Sequence, residues 1–207
     1  GYEYAIPLDE ECTIRLDQIP EPEKGSTPKN ITIQPLNLEE ISETRCLLEQ
    51  TVCNLSIRTI RDENIWLYQE KQRMASDVLF ESLSIKSNGS ITGYFRMNKS
   101  GKAILIFEVS ELNYDEIIEV LRYAKSIAQS EGKEPLIRIR VPSFSSFAKI
   151  VRYLGGQTNP AYAFQIRIPD ICKFLMKIKP VLEKRIDKSV FKGLTAVIKI
   201  NIYTMVI

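Results

Sequence analysis

The 207-residue chain has no histidine. That absence excludes Ser-His-Asp and Cys-His catalytic engines, His-bearing zinc sites and imidazole general bases. Any proton transfer would fall to Asp, Glu, Lys, Tyr or Cys. Cysteine is scarce and scattered: Cys12, Cys46, Cys53 and Cys172 form no Cys-x-x-Cys pair. Cys46 and Cys53, seven apart, lie two turns apart along one side of a helix, too distant for a disulfide within it. All four are expected to be reduced packing residues of a cytoplasmic protein. No apolar run approaches the ~20 residues of a membrane span, and no signal-peptide pattern is read. Net charge is also nearly absent, with 28 Lys and Arg against 26 Asp and Glu. A balance of +2 gives no global attraction to nucleic acid or acidic lipid, and neither is expected as a partner.

What the chain does have is the composition of an ordinary soluble globular protein, 44% hydrophobic and 26% charged. At this length folding buries roughly 70% of the unfolded chain's surface, so no disulfide or metal staple is required. The charge is unevenly placed. Residues 1–30 carry seven acids against three bases, a balance of −4, and residues 171–207 carry eight bases against Glu183 and Asp187, a balance of +6. The chain opens on Gly1 and closes inside an apolar run, Ala196 to Tyr203, that reads as a strand seeking a partner. A fragment of a longer chain is therefore expected, with neighbouring domains of that chain, or a second copy, as partners.

Along the chain, Gly1 to Leu16 reads as a short strand and an acidic tail, and Ile19 to Pro28 as a linker, with three prolines and a glycine. Ile31 to Leu36 alternates as a strand. Asn37 then caps a helix bearing Ile41, Cys46 or Arg45, Leu48 and Val52, with Glu40 closing a capping box. A second helix spans Arg61 to Met74, with Asp62 and Glu63 at its positive end. Three strands come next: Leu79 to Ile85, Ile91 to Met97 across an Asn88-Gly89 turn, and Ala103 to Val109, which is apolar on both faces. Asn113 and Glu116 form another capping box. The helix they start buries Ile117, Leu121, Ala124 and Ala128 and stops at Gly132. Leu136 to Val141 is a strand, Ser146 to Leu154 a short helix stopped by Gly155-Gly156, and Ala163 to Ile168 a final strand.

This order of strand, two helices, three meandering strands, helix, strand, helix and strand resembles the GNAT acetyltransferase fold. The resemblance covers residues 31–168. It implies an α+β class with a mixed central sheet flanked by helices, in which the fourth strand, the helix after it and the fifth strand form the acetyl-coenzyme A site. Active members hold the pyrophosphate with Gln/Arg-x-x-Gly-x-Gly/Ala, whose glycines let backbone N–H groups point at the phosphates. Here the position reads Val109-Ser110-Glu111-Leu112-Asn113-Tyr114-Asp115-Glu116, and no glycine occurs between Gly101 and Gly132. Three acids replace it. The family's Tyr-x-x-Leu-Gly-Phe signature, whose tyrosine protonates the departing thiolate, reads Val151-Arg152-Tyr153-Leu154-Gly155-Gly156. Val151 stands at the tyrosine position, and Tyr153 is turned about 200° around the helix.

Gly1 to Ile6 is similar to the segment after that signature in such a domain. Phe164 to Asp170, Phe174-Leu175, Pro180 to Glu183 and Gly193 to Thr195 resemble the opening of the sterol-carrier-like domain that ends acetyltransferases of the enhanced-intracellular-survival type. The resemblance implies three parts: residues 1–30, the end of an upstream domain and a linker; 31–168, a GNAT-like domain without its acetyl-CoA loop; and 169–207, the start of a sterol-carrier-like domain. Acetyl-CoA is then expected only in a complete active protein. No catalytic, cofactor-binding or metal residue is assigned.

Other candidates have simpler structural readings. Trp66 is expected in the core. Arg138, Arg140 and Arg167 suit a phosphate row, but cross-strand or interface ion pairs explain them more simply. Glu108 and Glu111 are expected to be solvated, and Lys173, Lys177 and Lys184 to form the wet face of a helix burying Phe174, Ile178 and Leu182. Three functions are compatible with these residues: a non-catalytic acetyltransferase-like module that positions a catalytic domain and shapes its acceptor pocket; a complete acetyl-CoA-dependent N-acetyltransferase with an atypical cofactor site; and an interaction module using the basic C-terminal helix.

Overall fold

The computed structural model describes residues 3–7, 11–22, 30–55, 58–75, 78–159, 163–166, 168–195, 201–202 and 205–206. In chain order the elements are β1 (Glu3–Pro7), β2 (Glu11–Arg15), β3 (Ile31–Pro35), α1 (Ile41–Val52), α2 (Glu63–Gln72), β4 (Met74–Ala75) and β5 (Val78–Leu79). Then come β6 (Glu81–Ser87), β7 (Ser90–Asn98), β8 (Ile104–Val109), α3 (Tyr114–Ser130), β9 (Leu136–Arg140), α4 (Ser146–Tyr153) and β10 (Gln157–Asn159). The last are β11 (Ala163–Ile166), α5 (Ile171–Ile186), β12 (Asn201–Ile202) and β13 (Met205–Val206). Most of the linker (residues 23–29), Arg167 and the apolar run 196–200 lie outside the described residues.

Pro7–Tyr162 form one compact unit, and Gly1–Ile6 with Ala163–Ile207 form another. The first is a seven-stranded mixed sheet in the order β10-β2-β9-β8-β7-β6-β3, in which β8 and β9 run parallel and the other pairs antiparallel. Helices cover both faces. Leu83, Ile85, Phe95, Met97, Ile104, Ile106, Ile137 and Ile139 pack against Ile117, Leu121 and Ala124 of α3 and Phe147 and Val151 of α4. On the opposite face, Tyr94 packs with Ile41 and Leu48 of α1 and Trp66 of α2. The observed class is the expected mixed α/β sheet flanked by helices.

Local chemistry explains the boundaries. Asn88 and Gly89 take φ of 52° and 84°, the left-handed pair that a two-residue hairpin between β6 and β7 requires. Asn113 Oδ1 accepts from Glu116 N at 3.0 Å while Glu116 Oε2 accepts from Asn113 N at 2.9 Å, so the expected capping box starts α3. Asn37 and Glu40 make the same exchange just ahead of α1. Asp62 Oδ1 accepts from Ile65 N at the head of α2.

Several expectations are corrected. Residues 11–15 are not an acidic tail but an inner strand between β9 and β10. Cys12 and Ile14 point inward while Glu11, Thr13 and Arg15 do not, an alternation that the count of acids conceals. Leu16 and Ile19 are buried behind it, so the large unit starts well before residue 31. Residues 163–166, expected as the last strand of the large sheet, pair with β1 in a separate two-stranded sheet. The strand expected from Leu79 divides at Phe80 into β5 and β6. Thr44, not Cys46 or Arg45, fills the inward position of α1, its hydroxyl donating to Glu40 O at 2.8 Å. Of the four free cysteines only Cys12 is buried. Lys173, Lys177 and Lys184 are exposed as expected, but Phe174 and Leu182 are exposed as well.

Ile14 is completely buried, so Ile14→Ala should cost about 2–4 kcal/mol. Urea unfolding monitored through Trp66 measures this, and an unchanged midpoint would mean that β2 is not integral to the sheet.

Candidate functional site

β8 and β9 are in register only over Ile104↔Ile137, Leu105↔Arg138 and Ile106↔Ile139, so the last three residues of β8 leave β9. The cause lies on the other side of β8. Its register with β7 shifts between Met97↔Ile106 and Arg96↔Glu108, which makes Phe107 an extra residue. The strands part, and the loop to α3 (Ser110 to Asn113) lies at the opening.

That loop is closed by the chain itself. Ser110 N donates to Tyr94 O at 3.0 Å, and the Ser110 hydroxyl accepts from Tyr94 N at 3.0 Å. Glu111 N donates to Thr51 Oγ1 of α1 at 2.9 Å. Asn113 N and Glu116 N are engaged in the capping box. Leu112, 5% exposed, sits over Gly93 of β7, where an added Cβ would meet its Cδ2 at 2.2 Å. The Ser146 hydroxyl, in the first residue of α4, donates to the Glu111 carboxylate and bridges the two sides of the opening. A pyrophosphate needs free N–H groups and no adjacent anion. Here side chains and strand β7 hold those donors and carboxylates flank them, so the residues present do not fit coenzyme A. Neither of the two described cavities is lined by these residues.

The same extra residue builds a second feature. Ile104 and Ile106 face α3, and without Phe107 the alternation would turn Glu108 there too. Instead Glu108 faces α1 and α2, opposite Arg96 in register. Arg61 donates to Glu108 Oε2 at 2.8 Å, and Tyr94 Oη donates to Glu108 Oε1 at 3.0 Å. Arg96, 1% exposed, donates to Glu70 Oε1 at 2.7 Å, Gln69 Oε1 at 3.0 Å and Ser82 Oγ at 3.1 Å. Ser82 Oγ donates in turn to Glu70 at 2.9 Å. Trp66 is sandwiched, with the Arg61 guanidinium 4.5 Å from its ring centroid and that of Arg96 at 4.4 Å. Two guanidiniums thus face two carboxylates. Burial, reinforced by Glu108, pushes the Tyr94 phenol well above its ordinary value, so it stays a proton donor. The cluster is closed upon itself and pins α2 to β7 and β8.

Sequence reasoning places Trp66 correctly, as a fully buried residue. It misses the cluster: Glu108 is paired rather than solvated, and no sequence signal marks the extra residue that aims it. Glu111 is exposed but bonded to Ser146. Arg138 grips Glu11 with two bonds of 2.7 and 2.9 Å, and Arg140 adds one of 2.8 Å, the cross-strand ion pair in place of a phosphate row. Val151 is fully buried, and Tyr153 is 84% exposed, turned away from the opening.

No protein-family profile matches the sequence, and no curated protein matches it. Solved structures do match. A GCN5-related N-acetyltransferase from Anabaena variabilis aligns at a TM-score of 0.54 and 15% identity over 84% of this chain and 43% of its own. Another, from Sphaerobacter thermophilus, aligns at 0.51 and 16% over 80% and 52%. A conserved protein of unknown function from Staphylococcus epidermidis aligns at 0.53 and 15% over 76% and 60%. The chain therefore has the fold of the GCN5-related N-acetyltransferases, and spans between 43% and 60% of these three structures.

The charge pairs can be tested by substitution. Arg96→Met leaves Glu70 buried without its cation and should cost about 3–5 kcal/mol, whereas Arg96→Met with Glu70→Met should recover most of that. Chemical denaturation of the three proteins measures the difference; equal stability of the single and double variants would show that the pair does not hold α2. Glu11 is held below the ordinary carboxylate range, chiefly by the Arg138 hydrogen bonds against an opposing burial cost. Its folded pKa is lower than its unfolded one, so its contribution is complete above the unfolded value and fades as pH falls through the folded one. Glu11→Gln should therefore destabilise by ~1–2 kcal/mol at pH 7 and by little below about pH 3. A penalty independent of pH would show that the charge is not what matters.

Proposed function

We propose that this chain is a non-catalytic, acetyltransferase-like module of a multidomain N-acetyltransferase, positioning a neighbouring catalytic domain and shaping its acceptor pocket. The observation that supports this is the loop before α3, whose backbone donors are engaged by Tyr94, Thr51, Asn113 and Glu116 and which carries acids at the phosphate position. A site that must open four internal contacts before admitting a dianion is poorly made for a cofactor. The displaced Tyr153 supports the same reading, because the catalytic acid of the family pattern has no counterpart at Val151. A rigid wall is what remains, and the paired charges under α2 give one face of the sheet a fixed shape. In this reading acetyl-CoA binds elsewhere in the whole protein, which is cytoplasmic, and residues 169–207 open a sterol-carrier-like domain.

Isothermal titration of the folded chain with acetyl-CoA provides the test. No saturable heat is expected up to about millimolar ligand, which is weaker than about −4 kcal/mol. Saturable micromolar binding that coenzyme A competes away would refute the module and favour a complete acetyltransferase with an atypical cofactor site.

A further inference from the structure

Helix α5 buries none of its residues. At about 100° per residue, Phe174, Ile178, Val181, Leu182 and Ile186 fall within one arc about 140° wide, interrupted by Arg185 alone. The arc is open: Val181 is 55% exposed, Phe174 42% and Ile186 41%. Val190, Phe191 and Leu194, just past the helix, are more exposed still.

The charges say what covers it. Lys179 stands at one edge of the arc and Lys177 and Lys188 at the other, each about 90–110° from its centre, whereas Glu183 and Asp187 lie about 130–170° away, toward the opposite pole. Residues 170–195 hold seven bases and three acids, a balance of +4. Pro180 is also on the far pole, where it leaves the apolar arc unbroken. A second copy of the helix would bring lysine edges against one another. A planar anionic surface instead satisfies both edges at once, and it accepts the apolar residues beyond the helix end. Sixteen residues are too short to cross a bilayer, and no helix among the described residues is long and apolar enough to do so.

We infer that α5 lies flat on an anionic lipid bilayer, its apolar arc in the boundary between headgroups and acyl chains and Lys177, Lys179 and Lys188 on the lipid phosphates. This is independent of the module reading. It replaces the expectation, drawn from a net charge of +2, that acidic lipid is no partner. Charge here is local, and each lysine near such a surface contributes about 1 kcal/mol.

The full chain would be floated with vesicles of phosphatidylcholine alone and with about 30% phosphatidylglycerol. Binding is expected only with the anionic lipid, reduced at least about tenfold by the triple change of Lys177, Lys179 and Lys188 to Glu, and sharply weakened by raised salt. Val181→Asp should reduce it too, while unchanged circular dichroism and Trp66 fluorescence show both variants to be folded. Equal binding to the two vesicles, no binding, or indifference to the triple change overturns the proposal. So does a dimer in solution that ignores lipid and is dissolved by Val181→Asp, since the face would then belong to a second copy.

Discussion

One additional residue in β8 decides two things at once, because a strand has only two faces and a single insertion exchanges them. Before Phe107, the inward residues of β8 are the isoleucines that pack on α3. After it, Glu108 faces the other way and Val109 returns to the α3 side, opposite Phe95. The same irregularity separates β8 from β9 and creates the opening in which this fold type places its cofactor. A polar cluster under α2 and a loop at the head of α3 are therefore coupled consequences of one backbone feature. Removing the extra residue would direct a carboxylate into an apolar core and leave Arg61 and Tyr94 without their acceptor.

An opening between strands exposes backbone groups that must be satisfied by something. In a cofactor-binding protein the ligand shares that task, and the empty site carries the cost. In this chain Thr51, Ser110, Asn113 and Glu116 take it over, and Leu112 fills the volume that Gly93 leaves. Such an arrangement stabilises the chain without any ligand. It also explains why four separated positions differ together from the family pattern: each alone would leave an unpaired donor, a clash or a void.

What can be read from the sequence is what local chemistry controls. Asn-Gly, the two capping boxes and the helical spacing in α3 act over a few residues, and they give the element order and with it the fold. Contacts distant in sequence are another matter. β2 alternates over only five residues amid acids, and its partners lie some 125 residues onward in β9 and beyond in β10, so nothing nearby identifies it as an inner strand. Its ion pair with Arg138 and Arg140 is legible only as two arginines on one strand face. Glu108 is legible as a charged residue in an apolar run, but its direction depends on a bulge that no local preference of Phe107 announces.

The buried charges raise the question of why α2 is fixed by ions rather than by apolar packing, since a well-packed apolar replacement is often as stable. Part of the answer is geometric. Arg96 reaches Ser82 on β6 and Gln69 and Glu70 on α2 through one planar fork, while its face covers Trp66 and Phe80. An apolar residue could supply the second contact but not the first, and a lysine neither forks nor stacks in this way. Directional bonds admit one position of α2 where apolar contacts would admit several. If a partner reads the outer surface of α2, defining that position counts for more than the last increment of stability, and a neutral pair of guanidiniums and carboxylates is a suitable means of defining it.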